Sequence, residues 1–273
     1  FIIAEHSGFC FGVQRAIDMA FAEAEKTREG GSTYTCGPLI HNRAVTDYLE
    51  QHGVGNIDDL SQAKSGDTVI VRSHGEPKEF YLKAEEMGIT LVDTTCVFVA
   101  KIHKLVEAAN AEGREVVIVG SAVHPEVTAT NGWCDYSAAI LESEEDALEY
   151  VKTEHNRPLV VAQTTFKAEI LHSIIDVFDK AGCTYELKNT ICNATRDRQQ
   201  SCAELAAKVD AMVVIGDTHS SNSKKLFEIA KKENKNSIFV QDKFDNQLKE
   251  FAKYNKIGVI AGASTPEWII KEV

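Results

Sequence analysis

Thr68-Val69-Ile70-Val71-Arg72-Ser73-His74-Gly75 indicates the fold class, because a short β-rich run passes directly into a polar turn that carries a histidine. Four further runs of this kind end in polar or Gly-rich turns, at 116–119, 159–162, 212–215 and 257–260. Strands that are apolar along their whole length are buried on both faces, as in parallel sheets. The sequence therefore predicts parallel strands whose carboxyl ends are marked by polar side chains.

Helical patterns alternate with these runs. Apolar residues recur at helical spacing within 100–111, 169–181 and 224–232. Strands that alternate with helices indicate an α/β fold, and ligands of open α/β sheets bind beyond the carboxyl ends of the strands. We therefore expect the chemistry of the chain to lie on that rim.

Composition and charge exclude several classes of function. The formal net charge of −12 argues against sequence-independent nucleic-acid binding, which needs a basic surface. No apolar run is long enough to cross a membrane. Residues 1–4 are predicted to form a short buried strand, and they lack the basic region of a signal peptide. The seven cysteines contain no CxxC pair, which argues against a zinc ribbon and favours a reducing, cytoplasmic location.

Three of the seven cysteines share one setting. Cys10 lies in Gly8-Phe9-Cys10-Phe11-Gly12, Cys96 follows Asp93-Thr94-Thr95, and Cys192 follows Asn189-Thr190-Ile191, each just before a predicted helix. The N–H groups at a helix N-terminus favour negative charge and should lower the pKa of a thiol there. Three thiolates without histidine spacing indicate an iron–sulfur cluster rather than zinc, and an iron without a thiolate would keep an open position.

A structural explanation competes with the ligand interpretation. Any one of these cysteines could be a buried small hydrophobe, and even spacing along the chain can arise by chance. The shared turn chemistry favours ligands for the three together. The other cysteines lack this setting and are interpreted as structural: Cys36, Cys134, Cys183 and Cys202.

Polar side chains follow other strands. His41, His74 and His124 lie on turns, and 219–223 is a turn rich in hydroxyls and an amide. Histidine N–H groups, hydroxyls and helix N-terminal amides can hold an anion without a positive overall field. A lone histidine is nevertheless more often structural, and Ser or Asn before a helix is an ordinary N-cap. Glu126 is a candidate proton donor, because an anionic ligand nearby would raise its pKa.

Eight short motifs occur in one order along nearly the whole chain. They are Gly8-Phe9-Cys10-Phe11-Gly12-Val13, His41-Asn42, Ser73-His74-Gly75, Asp93-Thr94-Thr95-Cys96, His124-Pro125-Glu126-Val127, Gln163-Thr164-Thr165, Ser220-Ser221-Asn222-Ser223 and Ala261-Gly262-Ala263-Ser264. Each motif is weak by itself, but the ordered set is specific. In this set the chain resembles the 4-hydroxy-3-methylbut-2-enyl diphosphate reductase family.

The resemblance implies a fold and an activity. The implied fold is three small α/β domains arranged as a pseudo-threefold trefoil around a central 4Fe–4S cluster with an open iron site. The implied enzyme is an iron–sulfur oxidoreductase that reductively dehydroxylates 4-hydroxy-3-methylbut-2-enyl diphosphate to isopentenyl diphosphate and dimethylallyl diphosphate. This is the terminal step of non-mevalonate isoprenoid biosynthesis. The implied partners are the allylic diphosphate and an electron donor such as ferredoxin or flavodoxin, with neither nucleic acid nor membrane.

The resemblance also implies roles for individual residues. By motif, the cluster ligands are Cys10, Cys96 and Cys192. The implied diphosphate-binding residues are His41, His74, His124, Ser220, Asn222 and Ser264, with Ser221 nearby. The implied catalytic residues are Glu126, Thr164 and His124, of which the first two form a proton relay.

The three cysteines divide the chain into intervals that each hold at least two strand–helix units. We expect a first α/β domain over 1–95, a second over 96–191 and a third over 192–273. The N-terminal strand is a candidate to pack on the third domain. Each domain would then bring one cysteine to a central site.

Two other interpretations stay open. Another trefoil 4Fe–4S enzyme, such as quinolinate synthase, also uses three cysteines and an open iron. Its carboxylate substrates should call for arginine clamps, whereas the Ser-Ser-Asn turn and the histidines fit a diphosphate better. A non-catalytic cluster protein, such as an electron carrier, would gain nothing from an open iron or from Glu126. Whether the substrate perturbs the cluster spectrum distinguishes these cases.

Overall fold

The computed structural model describes residues 1–26, 31–40 and 42–273, in which twelve strands alternate with eleven α-helices. The strands are β1 (Ile2–Ile3), β2 (Thr33–Cys36), β3 (Val54–Ile57), β4 (Thr68–Val71), β5 (Thr90–Asp93), β6 (Val116–Val119), β7 (Ala139–Leu141), β8 (Leu159–Ala162), β9 (Glu186–Leu187), β10 (Ala211–Ile215), β11 (Ser237–Val240) and β12 (Ile257–Ala261). The helices are α1 (Phe11–Ala24), α2 (Arg43–Gln51), α3 (Lys78–Glu86), α4 (Val97–Ala111), α5 (Pro125–Asn131), α6 (Glu144–Tyr150), α7 (Ala168–Lys180), α8 (Asn193–Ala206), α9 (Ser221–Glu233), α10 (Gln247–Phe251) and α11 (Glu267–Glu272). In this part of the chain, no helix combines the length and apolar character that a membrane span needs.

Three four-stranded sheets carry the fold, and their strand pairings are parallel. The N-terminal sheet has the order β3-β2-β4-β5 and the middle sheet β7-β6-β8-β9. The C-terminal sheet has the order β11-β10-β12-β1. All three thus repeat one arrangement, second–first–third–fourth, and β1 takes the fourth place in the last sheet. This threefold repetition confirms the predicted α/β trefoil class.

Both faces of a sheet are covered, as the continuous apolar runs predicted. In the middle sheet, Val117 of β6 belongs to a buried cluster with Leu171 of α7. The next residue, Ile118, belongs to a second cluster with Val106 of α4. Because successive side chains of a strand point to opposite faces, a strand that is apolar along its length can be buried on both.

The N-terminal strand differs from its prediction in burial. β1 forms and pairs with β12, placing Ile2 opposite Gly258 and Ile3 opposite Val259. The two isoleucines are nevertheless 47% and 57% exposed, so the prediction of a buried strand is wrong. β1 lies at the edge of its sheet, where solvent reaches side chains that a central strand would bury.

Candidate active site

Three cysteines occupy equivalent positions in the three units. Cys10, Cys96 and Cys192 are the N-cap residues of α1, α4 and α8. Each follows the strand in the fourth place of a sheet, namely β1, β5 or β9. None of the three makes a side-chain capping hydrogen bond, whereas Ser, Thr, Asp or Asn is the usual choice at this position. Cysteine at all three equivalent N-caps therefore indicates a role beyond helix capping.

The same backbone contact holds each cysteine in place. The N–H of Cys96 donates to the carbonyl oxygen of Ser73 at 3.0 Å, and the N–H of Cys192 donates to that of Thr164 at 3.0 Å. The N–H of Cys10 donates to the carbonyl oxygen of Ala263 at 3.4 Å. All three acceptors lie on the turn after the third strand of a sheet. These turns also carry residues of the predicted site, so each unit couples a cysteine to part of that predicted site.

One cavity lies where the three units meet. Its lining includes most of the predicted site residues: Cys10, Cys96, Cys192, His74, His124, Glu126, Thr164, Ser220, Ser221, Asn222 and Ser264. His41 lies outside the described residues, so its role stays a prediction. Residues far apart in the sequence therefore converge in space.

The first turn of α1 approaches the second unit closely. A Cβ atom added to Gly12 would lie 2.5 Å from Sγ of Cys96. Any side chain at this position would displace that thiol. Glycine is thus required here by the approach of two units, in addition to its place in the Cys10 turn.

Burial raises the pKa of the thiols of Cys96 and Cys192. Backbone N–H groups at the helix N-termini act in the opposite direction, from Phe98 and Val99 at Cys96. The prediction that the helix N-terminus lowers the thiol pKa is therefore wrong for these two cysteines in the protein alone. The loss of hydration raises the pKa more than the N–H groups of the helix N-terminus lower it. Metal binding would have to displace the thiol protons, as it does at thiolate sites generally.

Glu126 and Thr164 form a buried pair beside the cysteines. Glu126 is 2% exposed, and burial raises the pKa of its carboxyl group to about 7. Its Oε1 accepts the backbone N–H of Thr164 and its Oε2 accepts the Thr164 hydroxyl, both at 2.6 Å. The pair can therefore hold a proton near neutral pH at a place that bulk water does not reach.

Two histidines bring the first and second units together at the cavity. His124 is the N-cap of α5, and its Nδ1 accepts the backbone N–H of Glu126 at 3.2 Å. A neutral His124 ring therefore carries its proton on Nε2. The His74 ring, on the turn after β4, meets the His124 ring edge to face, with centroids 5.4 Å apart.

The third unit contributes a turn of hydroxyls and an amide at the N-terminus of α9. Ser220 caps this helix by accepting the N–H of Ser223 at 3.3 Å, and the hydroxyl of Ser264 donates to Ser220 Oγ at 3.4 Å. Asn222 is 4% exposed, and neither its amide nitrogen nor its amide oxygen has a hydrogen-bond partner among the described residues. Buried polar groups are normally paired, so Asn222 indicates a polar ligand.

Several residues of the cavity wall had no role predicted from the sequence. Thr165, Thr195 and Arg198 also line it. Gln163 is buried behind it, where it accepts the N–H of Ser121 at 3.0 Å and donates to the Thr165 hydroxyl at 2.9 Å. One signal was available, because positions 195, 198, 202 and 206 recur at helical spacing and form the buried face of α8.

The donor set fits an iron–sulfur cluster better than a single ion. Among the described residues, no group of three or more His, Cys, Asp or Glu could hold one metal ion. The three thiols nevertheless line one cavity, and a charge on Cys10 opposes ionisation of both Cys96 and Cys192. Three thiols that line one cavity suit a multi-iron group, for which thiolates are the ordinary ligands.

Comparison with known proteins gives full-length matches. The family described as LytB protein matches residues 1–273. The 4-hydroxy-3-methylbut-2-enyl diphosphate reductase of Alkaliphilus oremlandii is 44% identical over 100% of this chain and 96% of its own length.

Two solved structures are similar to the whole chain. One is (E)-4-hydroxy-3-methyl-but-2-enyl diphosphate reductase, described as the terminal enzyme of the non-mevalonate pathway. It has a TM-score of 0.75 at 39% identity and covers 100% of this chain and 96% of its own. The other is the E-1-hydroxy-2-methyl-but-2-enyl-4-diphosphate reductase of Plasmodium falciparum, with a TM-score of 0.90 at 26% identity, covering 99% and 85%.

Proposed function

Because the chain belongs to the LytB protein family, whose relatives are 4-hydroxy-3-methylbut-2-enyl diphosphate reductases, we infer that it catalyses the reductive dehydroxylation of this allylic diphosphate. The products are isopentenyl diphosphate and dimethylallyl diphosphate, and the reaction is the terminal step of the non-mevalonate pathway. In the balanced reaction, two electrons and two protons replace the substrate hydroxyl group by hydrogen and release water. This function is supported by the convergence of three N-cap cysteines on one cavity. The same cavity is lined by the buried acid Glu126 and by the hydroxyl and amide groups of the turn at 220–222.

We propose that Cys10, Cys96 and Cys192 hold a 4Fe–4S cluster. When bound, such a cluster supplies electrons and an open iron site for the substrate hydroxyl. Support comes from the three equivalent N-caps and the three equivalent backbone anchors. The wall of the cavity also contains a buried arginine that can balance negative charge.

We propose that Glu126 is the acid that supplies a proton to the reaction. Thr164 would pass this proton from Glu126 to the cavity. Below about pH 7 the Glu126 carboxyl is neutral and can donate to the Thr164 oxygen, whose hydroxyl then turns its own proton towards the cavity. His124 orients this pair, because its Nδ1 fixes the backbone N–H of Glu126 at the start of α5. The three residues thus deliver a proton from a water-excluded source.

The diphosphate is assigned to neutral donors at the start of α9 and to the neighbouring turns. Ser220, Ser221, Asn222 and Ser264 line the cavity together with His74 and His124, and His41 is proposed to join them. Helix N-terminal N–H groups and hydroxyls bind phosphate oxygens without a net positive surface, which the charge of −12 requires. Their main contribution is to orient the substrate.

The electrons need an external source. We propose a protein donor such as ferredoxin or flavodoxin. We further propose a cytoplasmic location, where thiols stay reduced.

Anaerobic purification tests this function. We expect about four irons and four sulfides per chain by analysis, a Mössbauer spectrum in which the allylic diphosphate shifts one iron site, and both products after chemical reduction. A cluster that does not respond to the diphosphate would favour a carrier or another trefoil enzyme. A protein reconstituted with iron and sulfide that still forms no cluster would contradict the proposal.

A further inference from the structure

Arg198 is a buried cation in the wall of the cavity. It lies on α8, six residues after Cys192, and is 4% exposed. A guanidinium group keeps its charge in proteins, although burial here acts to lower its pKa. Placing a full charge where water is excluded is costly unless an anion lies close to it.

The hydrogen-bond partners of Arg198 are neutral. One terminal nitrogen donates to the carbonyl oxygen of Gly8 at 2.9 Å, and the other donates to that of Ala194 at 3.0 Å. Its Nε has no hydrogen-bond partner among the described residues. The adjacent carboxylate, Asp197, pairs with Arg196 at 3.8 Å instead. No carboxylate of the described chain forms an ion pair with Arg198, although the charge of Asp197 also favours its charged form.

The two carbonyl partners show which anion the arginine faces. Gly8 lies two residues before Cys10, and Ala194 lies two residues after Cys192. The guanidinium group therefore links the Cys10 turn to the first turn of the helix that Cys192 caps. Negative charge on these same two cysteines favours the charged form of Arg198.

We propose that Arg198 is the fixed positive charge that balances the cluster and raises its reduction potential. The inference rests on the cluster assigned above to the three cysteines. An electron that passes from a protein donor to the cluster oxidises the donor and makes the cluster more negative, and no bond forms or breaks. A nearby cation in a low-dielectric site stabilises the reduced state more than the oxidised state. Arg198 thus acts on the reaction through the cluster, as a positioning residue.

Three variants separate charge from structure. Arg198→Gln removes the charge, and Arg198→Lys keeps it but loses the two-pronged contact. Arg15→Gln is the matched control, because Arg15 also donates to a carbonyl beside a cluster cysteine, that of Thr95 at 3.2 Å. Arg15 is only part-buried and is not among the cavity-lining residues.

The reduction potential is measured by a redox titration monitored by electron paramagnetic resonance, with iron and sulfide analysis of each variant. We expect Arg198→Gln to make one-electron reduction at least tenfold less favourable, which corresponds to a fall of about 59 mV. Arg198→Lys should keep a reduction potential close to that of the unsubstituted protein. Arg15→Gln should match the unsubstituted protein, because solvent screens its charge.

An unchanged potential in Arg198→Gln would overturn the proposal, and the proposed function would remain intact. Loss of the cluster in both Arg198 variants would also overturn it, since the residue would then serve to hold the Cys10 turn. Loss in Arg198→Gln alone, with a cluster retained in Arg198→Lys, would support it. Absence of any cluster in the unsubstituted protein is a separate result, which contradicts the proposed function itself.

Discussion

At the scale of single residues, the environment of Glu126 leads to a prediction about its role as an acid. Glu126 is fully enclosed, and both of its carboxylate oxygens are occupied by Thr164. Glu126→Gln preserves the shape but cannot give up a proton, so we expect kcat to fall about 10²- to 10⁴-fold. Iron content and substrate affinity should change little. Steady-state kinetics with iron analysis checks this, and turnover close to that of the unsubstituted enzyme would exclude the acid role.

The raised pKa of Glu126 also predicts a pH dependence. The carboxyl group is protonated below its pKa of about 7, so turnover should fall as the pH rises through this value. The folded state holds this proton more tightly than the unfolded chain, so the associated stability is present at low pH and is lost as the pH rises towards 7. Glu126→Gln should lack both effects in a pH–rate profile and in denaturant unfolding at pH 5 and pH 8.

Asn222 predicts opposite effects on binding and on stability. Its buried amide lacks hydrogen-bond partners among the described residues, which costs free energy in the unliganded protein. Asn222→Ala should therefore leave the unliganded fold equally or more stable, while it weakens diphosphate binding by about 1–3 kcal/mol. Isothermal titration calorimetry and thermal unfolding measure the two effects. Asn236→Ala is the control, because Asn236 lies in the same unit and donates to Asp210 at 3.0 Å. Equal affinity in the Asn222 variant would place the diphosphate elsewhere.

At the scale of elements, the N-terminus of α1 makes a steric prediction. A methyl group at Gly12 would overlap Sγ of Cys96, so Gly12→Ala should displace that thiol and lower the iron content. Alanine otherwise favours a helix over glycine, so the helix itself should not weaken. Gln14→Ala, at an exposed position one turn into the same helix, is the control and should retain its iron. Full iron content in Gly12→Ala, measured after anaerobic reconstitution, would contradict the cluster geometry.

The elements that could be predicted from the sequence are those with a one-dimensional signal. β4, β6 and β8 match their predicted runs, because these central parallel strands are almost entirely apolar. The helix predicted from residue 100 starts at Val97 instead, since its first turn follows a cysteine cap that propensity does not identify. Strands such as β7 and β11 were missed because short or partly polar edge strands give no such run.

The residues of the candidate site also divide into those that have a signal in the sequence and those that do not. The three cysteines and the Ser-Ser-Asn turn could be predicted because they lie at strand-to-helix turns. At such turns the apolar pattern of the strand stops and polar residues follow, which is visible in the sequence. Arg198 could not be assigned in this way, because its long-range partner is the backbone carbonyl group of Gly8, which lies 190 residues away in the sequence. Helical spacing places position 198 on one face of α8 with positions 195, 202 and 206, but it does not indicate that this face meets the cysteine turns.

At the scale of the whole molecule, the repeated strand order explains why one site can form from three units. Each unit places its cysteine after the fourth strand and holds it by a hydrogen bond to the turn after the third strand. Because β1 is the fourth strand of the C-terminal sheet, the first cysteine of the chain is anchored by the last unit. Movement of one unit would therefore displace a cysteine together with a turn of the proposed substrate site.

The interface between the first two units should accordingly control substrate affinity. Gly75 follows His74 at a positive φ of 76°, and a methyl group there would overlap the ring of His103 from α4. That ring stacks on Trp133, whose Nε1 donates to the carbonyl oxygen of Glu76 at 3.0 Å. Gly75→Ala should push the His74 turn away from α4 and weaken diphosphate binding.

Gly113→Ala provides the matched control for backbone strain. Gly113 has a similar φ of 69°, but nothing lies within 4 Å of an added Cβ atom. Its substitution should cost about 1–2 kcal/mol of unfolding free energy from the left-handed backbone alone, with iron content and diphosphate affinity unchanged. Gly75→Ala should cost more than this and should also raise the dissociation constant of the diphosphate. Denaturant unfolding and calorimetry on both variants decide the matter, because equal effects of the two substitutions would show that the contact between the units does not position His74.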